Sequence, residues 1–233
     1  MKERPILFSA PMILALLAGR KTQTRRIVKP LRTTNGLPSG DGWKYAAGGG
    51  GWGGLSREEN GGLSSWPLPR CPYGVPRDRL WVRETWAAAD RMLTGYEKDD
   101  PVAVAYRADK ACLVHEDAPP WKADTTAWNW DKLTWRPSIF MPRWASRITL
   151  EITGVKVERV AAISEEDARA EGIVSHEDGW TIPGDATVRF VWQTARDAFA
   201  ALWEEINGKR PGCSWADNPW VFALTFRRLP DGR

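Results

Sequence analysis

The sequence predicts an α+β fold, in which a small β-barrel is decorated by helices and interrupted by a long insertion rich in glycine and tryptophan. Short segments of alternating apolar and polar residues are spread along the chain, which is typical of a mixed or antiparallel sheet. Only three segments have the spacing or the end signals of a helix. The length of 233 residues and the 42% share of hydrophobic residues suit one domain spanning residues 1–233.

The first predicted helix covers residues 11–18. Ser9 or Ala10 caps it, and Gly19 supplies the left-handed residue that ends it. Residues 20–28 are rich in threonine and arginine, and we expect them to turn into a strand.

Residues 33–76 are predicted to form a flexible insertion or lid. Of the 21 glycines, 11 lie between Gly36 and Gly62, and the segment has no apolar periodicity. Indole rings of this segment would reach a bound ligand if the lid closes, namely those of Trp43, Trp52 and Trp66.

Residues 107–143 are predicted to form a second, irregular insertion, because they are rich in tryptophan and proline. Alternation predicts strands over residues 79–86, 102–106, 147–153, 155–160 and 220–227. A capping box at Ser164 predicts a helix that ends at about Glu171 with Gly172 as its stop. Apolar residues at three-and-four spacing predict a longer helix over residues 188–206.

Basic residues are concentrated near the N-terminus. The whole chain has a net charge of +4, yet no Asp or Glu lies between Arg4 and Gly40, and that stretch carries a local charge of +7. A basic face of this kind predicts an anionic partner, with nucleic acid or a nucleotide as the leading candidates.

Several classes of protein are disfavoured by what the sequence lacks. The isolated thiols of Cys71, Cys112 and Cys213 and the two histidines do not have the spacing of a zinc site or a disulfide framework, so we expect no metal, no cofactor and a reducing, cytoplasmic location. The apolar run at residues 12–18 is too short to span a membrane. Walker, GxGxxG, GxSxG and HExxH motifs do not occur.

The octapeptide Gly19-Arg-Lys-Thr-Gln-Thr-Arg-Arg26 resembles the signature of the activating-signal-cointegrator homology (ASCH) family, G-x-K-x-x-E-x-R. The resemblance implies a PUA-like β-barrel. Gly19, Lys21 and Arg26 match the signature, whereas Thr24 stands where many members have glutamate. The chain also resembles a phage or prophage ASCH family in nearly everything except the glycine-rich insertion, in the segments RPILFSAPM, GRKTQTRR, RLWVRETW, WRPSIFMPRWASRI, SEEDARAEG and NPWV.

The run AGRKTxTxR is similar to the bacterial N4-acetylcytidine amidohydrolase branch of this superfamily, in which a lysine, a threonine and a distant glutamate form the catalytic set. The similarity implies that Lys21, Thr24 and Glu171 are catalytic, the last from the segment ISEEDARAEGI at residues 163–173. It also implies a metal-free amidohydrolase that removes the acyl group from a modified cytosine nucleoside or base.

The chemistry of these residue types agrees with such a role. Burial and the like charges of neighbouring arginines would drive Lys21 towards its neutral form, so that it can act as the base for a Thr24 nucleophile. Glu171 would donate a proton to the leaving amine, or would activate a water if Thr24 only orients the acyl oxygen. Both schemes stay open, and Lys21 and Thr24 converge only if the chain turns between them.

Substrate contacts are predicted for five further residues. Glu84 shares a strand face with apolar residues, and burial of its carboxylate would require a partner such as Arg26. Indole rings beside arginines are typical walls for a base. The full set of predicted substrate-binding residues is Arg20, Arg26, Glu84, Trp86 and Trp144.

An alternative hypothesis is a PUA-like module that binds RNA or modified nucleic acid without catalysis. The basic N-terminal segment fits either class, since it would hold phosphate in a binding module. The combination of Lys21, Thr24 and Glu171 favours the enzyme, because a phosphate-binding surface does not require it. The oligomeric state, the preferred acyl group and the choice between nucleoside and polymer are not determined by the sequence.

Overall fold

The computed structural model describes residues 1–29, 44–47, 53–59, 62–68, 70–89, 102–115, 133–184 and 190–230. Its strands are β1 Glu3–Leu7, β2 Gln23–Ile27, β3 Lys44–Ala47, β4 Gly53–Glu59, β5 Gly62–Leu68, β6 Arg79–Arg83, β7 Trp86–Ala89, β8 Val102–Tyr106, β9 Cys112–His115, β10 Thr149–Arg159, β11 Val174–His176, β12 Gly179–Thr181 and β13 Trp220–Arg228. Its α-helices are α1 Ala10–Leu17, α2 Glu165–Ala170 and α3 Ala195–Asn207, and short 3-10 helices lie at Ser138–Phe140, Arg143–Ala145 and Val160–Ala162.

A five-stranded mixed sheet forms the centre of the α+β fold. Its order is β1-β6-β10-β13-β2, with β1 and β6 parallel and the other pairs antiparallel. The edge strands β1 and β2 are linked by a side chain, because Arg26 Nη2 donates a hydrogen bond to the Leu7 carbonyl oxygen at 2.6 Å. None of the described helices is long and apolar enough to cross a membrane.

The main hydrophobic core lies between this sheet and the helices. Ile13 and Leu16 of α1 are almost fully buried, and Phe199 and Leu202 of α3 join the same cluster. The sheet contributes alternate residues, among them Leu224 of β13, which is 0% exposed. The predicted helices at residues 11–18 and 164–171 and the predicted strands in residues 20–28, 102–106 and 220–227 are confirmed to within two or three residues at their ends.

A single long strand replaces the two strands predicted over residues 147–153 and 155–160. β10 pairs with β13 along its length, and the register shifts between Ile152 and Gly154. A bulge of this kind adds a residue and bends the strand without ending it. The prediction of two strands was therefore wrong, because one strand continues through Gly154.

The predicted strand at residues 79–86 is divided between two sheets. β6 ends at Arg83, and β7 begins at Trp86 in a separate sheet of order β7-β8-β9. Trp86 then pairs with Arg136 through two backbone hydrogen bonds. The chain changes sheet here because Glu84 and Trp86 find their partners outside the central sheet.

The helix predicted over residues 188–206 begins later than expected, at Ala195. The Thr194 hydroxyl accepts a hydrogen bond from the Asp197 amide at 3.0 Å, which is the N-cap geometry. Upstream, Trp192 forms a β-bridge with Trp180. The apolar periodicity therefore extends upstream of the N-cap, where the helix has not yet begun. Residues 188–189 lie outside the described residues.

The segment predicted as a flexible insertion or lid at residues 33–76 contains an antiparallel sheet of order β3-β4-β5. These strands contain no Val, Ile or Thr, the β-branched residues that are typical of strands, so their sequence gives a weak strand signal. Trp43 and Trp52 lie outside the described residues, and Trp66 is in β5. Residues 107–143, which were predicted to form an irregular insertion, contain β9 and the first 3-10 helix.

Candidate functional site

The Lys21 amine and the Glu171 carboxylate form a buried ion pair. Lys21 Nζ lies 2.7 Å from Glu171 Oε2 and also donates to the Glu171 backbone oxygen at 2.7 Å. The two side chains are 2% and 5% exposed. The structure therefore brings together two of the three predicted catalytic residues, which are 150 positions apart in the chain.

Two helix ends place this pair. Gly19, just after the end of α1, has a φ of +72°, and the next two amides bond back to the Ala15 carbonyl oxygen. Glu171 is the C-cap of α2 and is followed by Gly172 with a φ of +103°. The Thr22 amide donates to the Ala170 carbonyl oxygen at 2.8 Å, so the two helix ends are tied directly to each other.

Arg25 extends the contact between Lys21 and Glu171 into a wider network of ion pairs. Its guanidinium contacts Glu158 at 2.7 Å, Asp167 at 2.8 Å and Glu171 at 3.3 Å. Gln23 links to the network as well, because its Nε2 donates to Asp167 Oδ1 at 2.7 Å. Both oxygens of Glu171 are thus held by cations, which fixes the plane of the carboxylate.

Burial dominates the electrostatics of Lys21. Loss of hydration lowers the pKa of the Lys21 amine, the negative charge and hydrogen bond of Glu171 oppose that decrease, and the like charges of Arg26 and Arg25 add to it. The direction agrees with the expectation from the sequence. The neighbouring arginines that add to the decrease in the pKa of Lys21 are Arg25 and Arg26.

Aromatic rings flank the cationic side of the site. The Phe8 ring centre lies 5.6 Å from Lys21 Nζ and 5.2 Å from the Arg26 guanidinium carbon. The Tyr73 ring lies 5.9 Å from the same guanidinium carbon. Contacts at these distances are cation–π interactions, and they form a wall beside the Lys21–Glu171 pair.

Thr24 is buried in β2, and it follows Lys21 by three positions in the chain. It is 4% exposed and lies opposite Leu224 of β13. By strand alternation, Thr24 shares a face with Arg26, whereas Gln23 and Arg25 point to the other face. No hydrogen bond joins the Thr24 hydroxyl to Lys21 or to Glu171 in the described part of the chain.

The five predicted substrate-binding residues are dispersed. Arg20 is exposed, and Arg26 lies beside the pair. Glu84 is buried as expected, but its partner is Arg147, with contacts of 2.9 Å to both carboxylate oxygens, and not Arg26. Arg147 lies just before β10, and β10 pairs with β6, the strand that Glu84 follows. This position explains why Arg147, and not Arg26, is the partner of Glu84.

Trp86 and Trp144 belong to a separate cluster. Their rings are 6.0 Å apart in an edge-to-face arrangement, and Trp86 is 1% exposed. The cluster also holds Tyr106 and Met141. In the described residues no contact links either indole to Lys21 or Glu171, so these rings pack the β7-β8-β9 sheet.

Potential metal-binding atoms come together once in the described residues, at the β11–β12 turn. Ligand atoms of His176, Glu177 and Asp178 lie within 4.8 Å of one another. Glu177 and Asp178 are exposed, and His176 Nδ1 accepts a hydrogen bond from the Asp178 amide. The turn follows Glu171 closely in the chain, but in the described residues no hydrogen bond joins it to Lys21 or Glu171.

Sequence reasoning missed several members of the site. Asp167 lies one helical turn before Glu171 and therefore on the same face of α2, a spacing that could have identified it. Arg25 was expected as one of the arginines near Lys21, but its ion pairs with acidic residues were not predicted. The others gave no local signal, because the fold brings them from distant strands and loops: Phe8, Tyr73 and Glu158.

Comparisons of the chain with protein-family models, with curated proteins and with solved structures give no match.

Proposed function

We propose that this protein is a metal-free amidohydrolase of the ASCH type, which removes the acyl group from N4-acylated cytosine nucleosides or bases in the cytoplasm. The observation that carries the proposal is the 2.7 Å contact between Lys21 Nζ and Glu171 Oε2. Burying two charges costs several kcal/mol of desolvation, about as much as the pair regains, so an apolar pair would serve stability equally well. A buried acid and base in contact are better explained by chemistry.

The curvature of the central sheet supports the PUA-like part of the proposal. Arg26 of β2 reaches the carbonyl oxygen of Leu7 on β1, so the two edges of the sheet lie one side chain apart. A PUA-like barrel requires its edge strands to approach in this manner. The Lys21 motif would then lie at the mouth of the barrel.

Proton transfer within the pair would create the reactive form. When the shared proton moves from Lys21 to Glu171, the products are a neutral amine and a neutral carboxylic acid, which burial favours over two charges. Lys21 is then a base and Glu171 an acid. One short hydrogen bond thus supplies both groups that amide hydrolysis requires.

In the first half-reaction, the neutral Lys21 amine takes the proton of the Thr24 hydroxyl, and Thr24 Oγ1 attacks the acyl carbon. The amide C–N bond breaks, its electron pair stays on the exocyclic nitrogen, and Glu171 donates the proton that completes the amine. In the second, Glu171 takes a proton from water as the water attacks the acyl ester, and Lys21 returns its proton to Thr24. Hydrogen bonds from Thr24 to the pair are expected to form with substrate bound.

A second scheme uses the same residues differently. Glu171 would remain ionised and activate a water, while Thr24 orients the acyl oxygen. The contact with Arg25 at 3.3 Å places a second cation beside the Glu171 carboxylate, an arrangement that suits this scheme. The burial of Lys21 favours the neutral pair and therefore the first.

The test is hydrolysis of N4-acetylcytidine by the purified protein, followed by the loss of absorbance of the acylated base. Lys21→Met, Thr24→Ala and Glu171→Gln are each expected to lower kcat/KM by about 10²- to 10⁴-fold. Thr22→Ala and Glu166→Gln are matched controls, because both side chains are exposed, Thr22 is the residue after Lys21 and Glu166 lies in α2. Turnover that is absent, or that persists in the Lys21 and Glu171 variants, refutes the proposal.

A binding module without catalysis is the second candidate, and the Phe8–Arg26–Tyr73 wall favours it, since stacked arginines and rings also hold bases. Oligonucleotide affinity would then fall steeply with salt, and N4-acetylcytidine would bind without turnover. Titration of an RNA oligomer at several salt concentrations distinguishes the two.

A further inference from the structure

Arg26 differs from the other cations of the site in having no carboxylate partner. Lys21 is paired with Glu171, and Arg25 with three acidic groups. In the described part of the chain, the Arg26 guanidinium makes one hydrogen bond, to the neutral carbonyl oxygen of Leu7. Its Nε is buried and has no hydrogen-bond partner among the described residues.

Such a cation is costly unless something compensates its charge. A guanidinium has several N–H donors arranged as a planar fork, and one bond to Leu7 satisfies only part of them. The faces of Phe8 and Tyr73 compensate some of the charge, but rings accept no strong hydrogen bonds in the plane of the fork. The fork therefore retains donors for an acceptor that is not part of the chain.

We propose that Arg26, beside Lys21, binds a small monocarboxylate. The class of ligand follows from fork geometry, because a carboxylate offers two coplanar oxygens to a guanidinium. The assignment of that carboxylate as the acyl product rests on the proposed function, in which hydrolysis releases one carboxylate for every amide broken. Arg26 thus holds the acyl end of the substrate and, after reaction, its product.

A single negative charge fits the site better than two. Among the described residues Arg26 contacts no carboxylate, yet the three cations Lys21, Arg25 and Arg26 are matched in number by Glu158, Asp167 and Glu171, so the cluster has no surplus of positive charge for a dianion. Glu171 lies close enough for its charge to act on the Arg26 guanidinium. A phosphate dianion would meet the repulsion of that carboxylate, whereas a monoanion meets it half as strongly.

The experiment is titration of the purified full-length protein with sodium acetate, against sodium chloride at equal ionic strength, read by calorimetry and by the thermal unfolding midpoint. Acetate is expected to bind the wild-type protein and to raise the midpoint above that in chloride. Arg26→Gln is expected to weaken acetate binding by about tenfold or more, because it removes charged hydrogen bonds. Arg210→Gln, which removes an exposed arginine in the turn after α3, is the matched control and should bind as the wild type.

Arg26→Lys guards against a folding defect in Arg26→Gln, since it keeps the charge and loses the fork. Weaker acetate binding by a folded Arg26→Lys protein supports the site. Binding no stronger than that of chloride, equal binding by both Arg26 variants and the wild type, or tighter binding of inorganic phosphate than of acetate overturns it. Acetate binding without turnover of N4-acetylcytidine would refute the proposed function and leave the anion site intact. Turnover without acetate binding would refute the anion site and leave the proposed function intact.

Discussion

The Lys21 amine and the Glu171 carboxylate meet at 2.7 Å although 150 positions separate them in the chain. One follows the end of α1 and the other ends α2. Because the Thr22 amide also bonds to the Ala170 carbonyl oxygen, the contact joins two helix ends through both backbone and side chains. The site therefore depends on the relative position of α1, β2 and α2.

The first prediction concerns the coupling of this pair. Lys21→Met leaves a buried carboxylate with Arg25 alone, and Glu171→Gln leaves a buried amine without its counter-charge, so each is expected to lower the free energy of unfolding by about 3 to 5 kcal/mol. The double variant should lose much less than the sum, because neither charge remains. Urea unfolding of the four proteins measures this cycle, and additive losses would show that the two residues do not interact.

The second prediction concerns the pH dependence of N4-acetylcytidine hydrolysis. In the first scheme the active pair holds one proton, so activity is lost as rising pH removes it. Burial lowers the pKa of Lys21, so this loss has its midpoint below the usual lysine value of 10.5. The second scheme keeps the ion pair of Lys21 and Glu171, which also holds one proton, so activity that rises over the same interval would contradict both schemes. The measurement is kcat/KM from neutral to alkaline pH, where the wild-type protein remains folded.

Local sequence signals located α1 and α2 to within one residue at each end, whereas the start of α3 and the continuity of β10 were predicted wrongly. The cap Ser164 and the stops Gly19 and Gly172 were identified, and Ser9 was one of two candidates for the first cap, because capping is decided by neighbouring residues. Topology was a different matter. That β10 continues through Gly154, and that the chain leaves the sheet after Arg83, depend on cross-strand pairing, which no local pattern encodes.

In the candidate site, too, only some of the residues could be identified from the sequence. Lys21 and Glu171 were selected by resemblance to a motif, since a carboxylate at the end of a helix gives no signal of its own. Arg147 as the partner of Glu84 was missed because the two are 63 residues apart. Phe8 and Tyr73 became members of the site only through the approach of β1 and the loop before β6 to β2.

The third prediction concerns acid stability. Asp78 accepts hydrogen bonds from the Lys2 amide at 2.7 Å and from Arg4 at 2.9 Å, and the first of these bonds is the main cause of its lowered pKa. A lowered carboxyl pKa contributes stability above the unfolded value of 3.8, and this contribution is lost as pH falls through the folded value. Asp78→Asn should therefore be less stable than the wild type at pH 7, by about 1 to 3 kcal/mol.

Unfolding curves of the wild type and Asp78→Asn at pH 7 and at pH 3 check this. The difference between the two proteins should shrink at the lower pH. A difference that is constant with pH would mean that the carboxylate's charge is not what holds the N-terminal strand.

The fourth prediction concerns Glu165, the first residue of α2. Its carboxylate accepts hydrogen bonds from the amides of Ala195 at 2.7 Å and Arg196 at 3.0 Å, and so caps the N-terminus of α3 from another helix. Glu165→Ala is expected to cost about 0.5 to 2 kcal/mol, as for other lost caps. Glu166→Ala is the control, because its exposed side chain is the next residue of the same turn. Equal stability of the two variants, measured in urea, contradicts the capping role.

The fifth prediction compares the two glycines that end α1 and α2. Gly19 and Gly172 both have positive φ, so alanine at either position is strained by about 1 to 2 kcal/mol. They differ in their surroundings: a Cβ at Gly19 meets nothing within 4 Å, whereas one at Gly172 lies 3.3 Å from the Ala15 Cβ and 3.5 Å from the Lys21 Cβ. Gly172→Ala should therefore destabilise more than Gly19→Ala, because it adds crowding to strain and pushes on the Lys21 side chain. Unfolding free energies of the two variants measure the difference, and equal losses would show that α1 moves away from the new methyl group without cost.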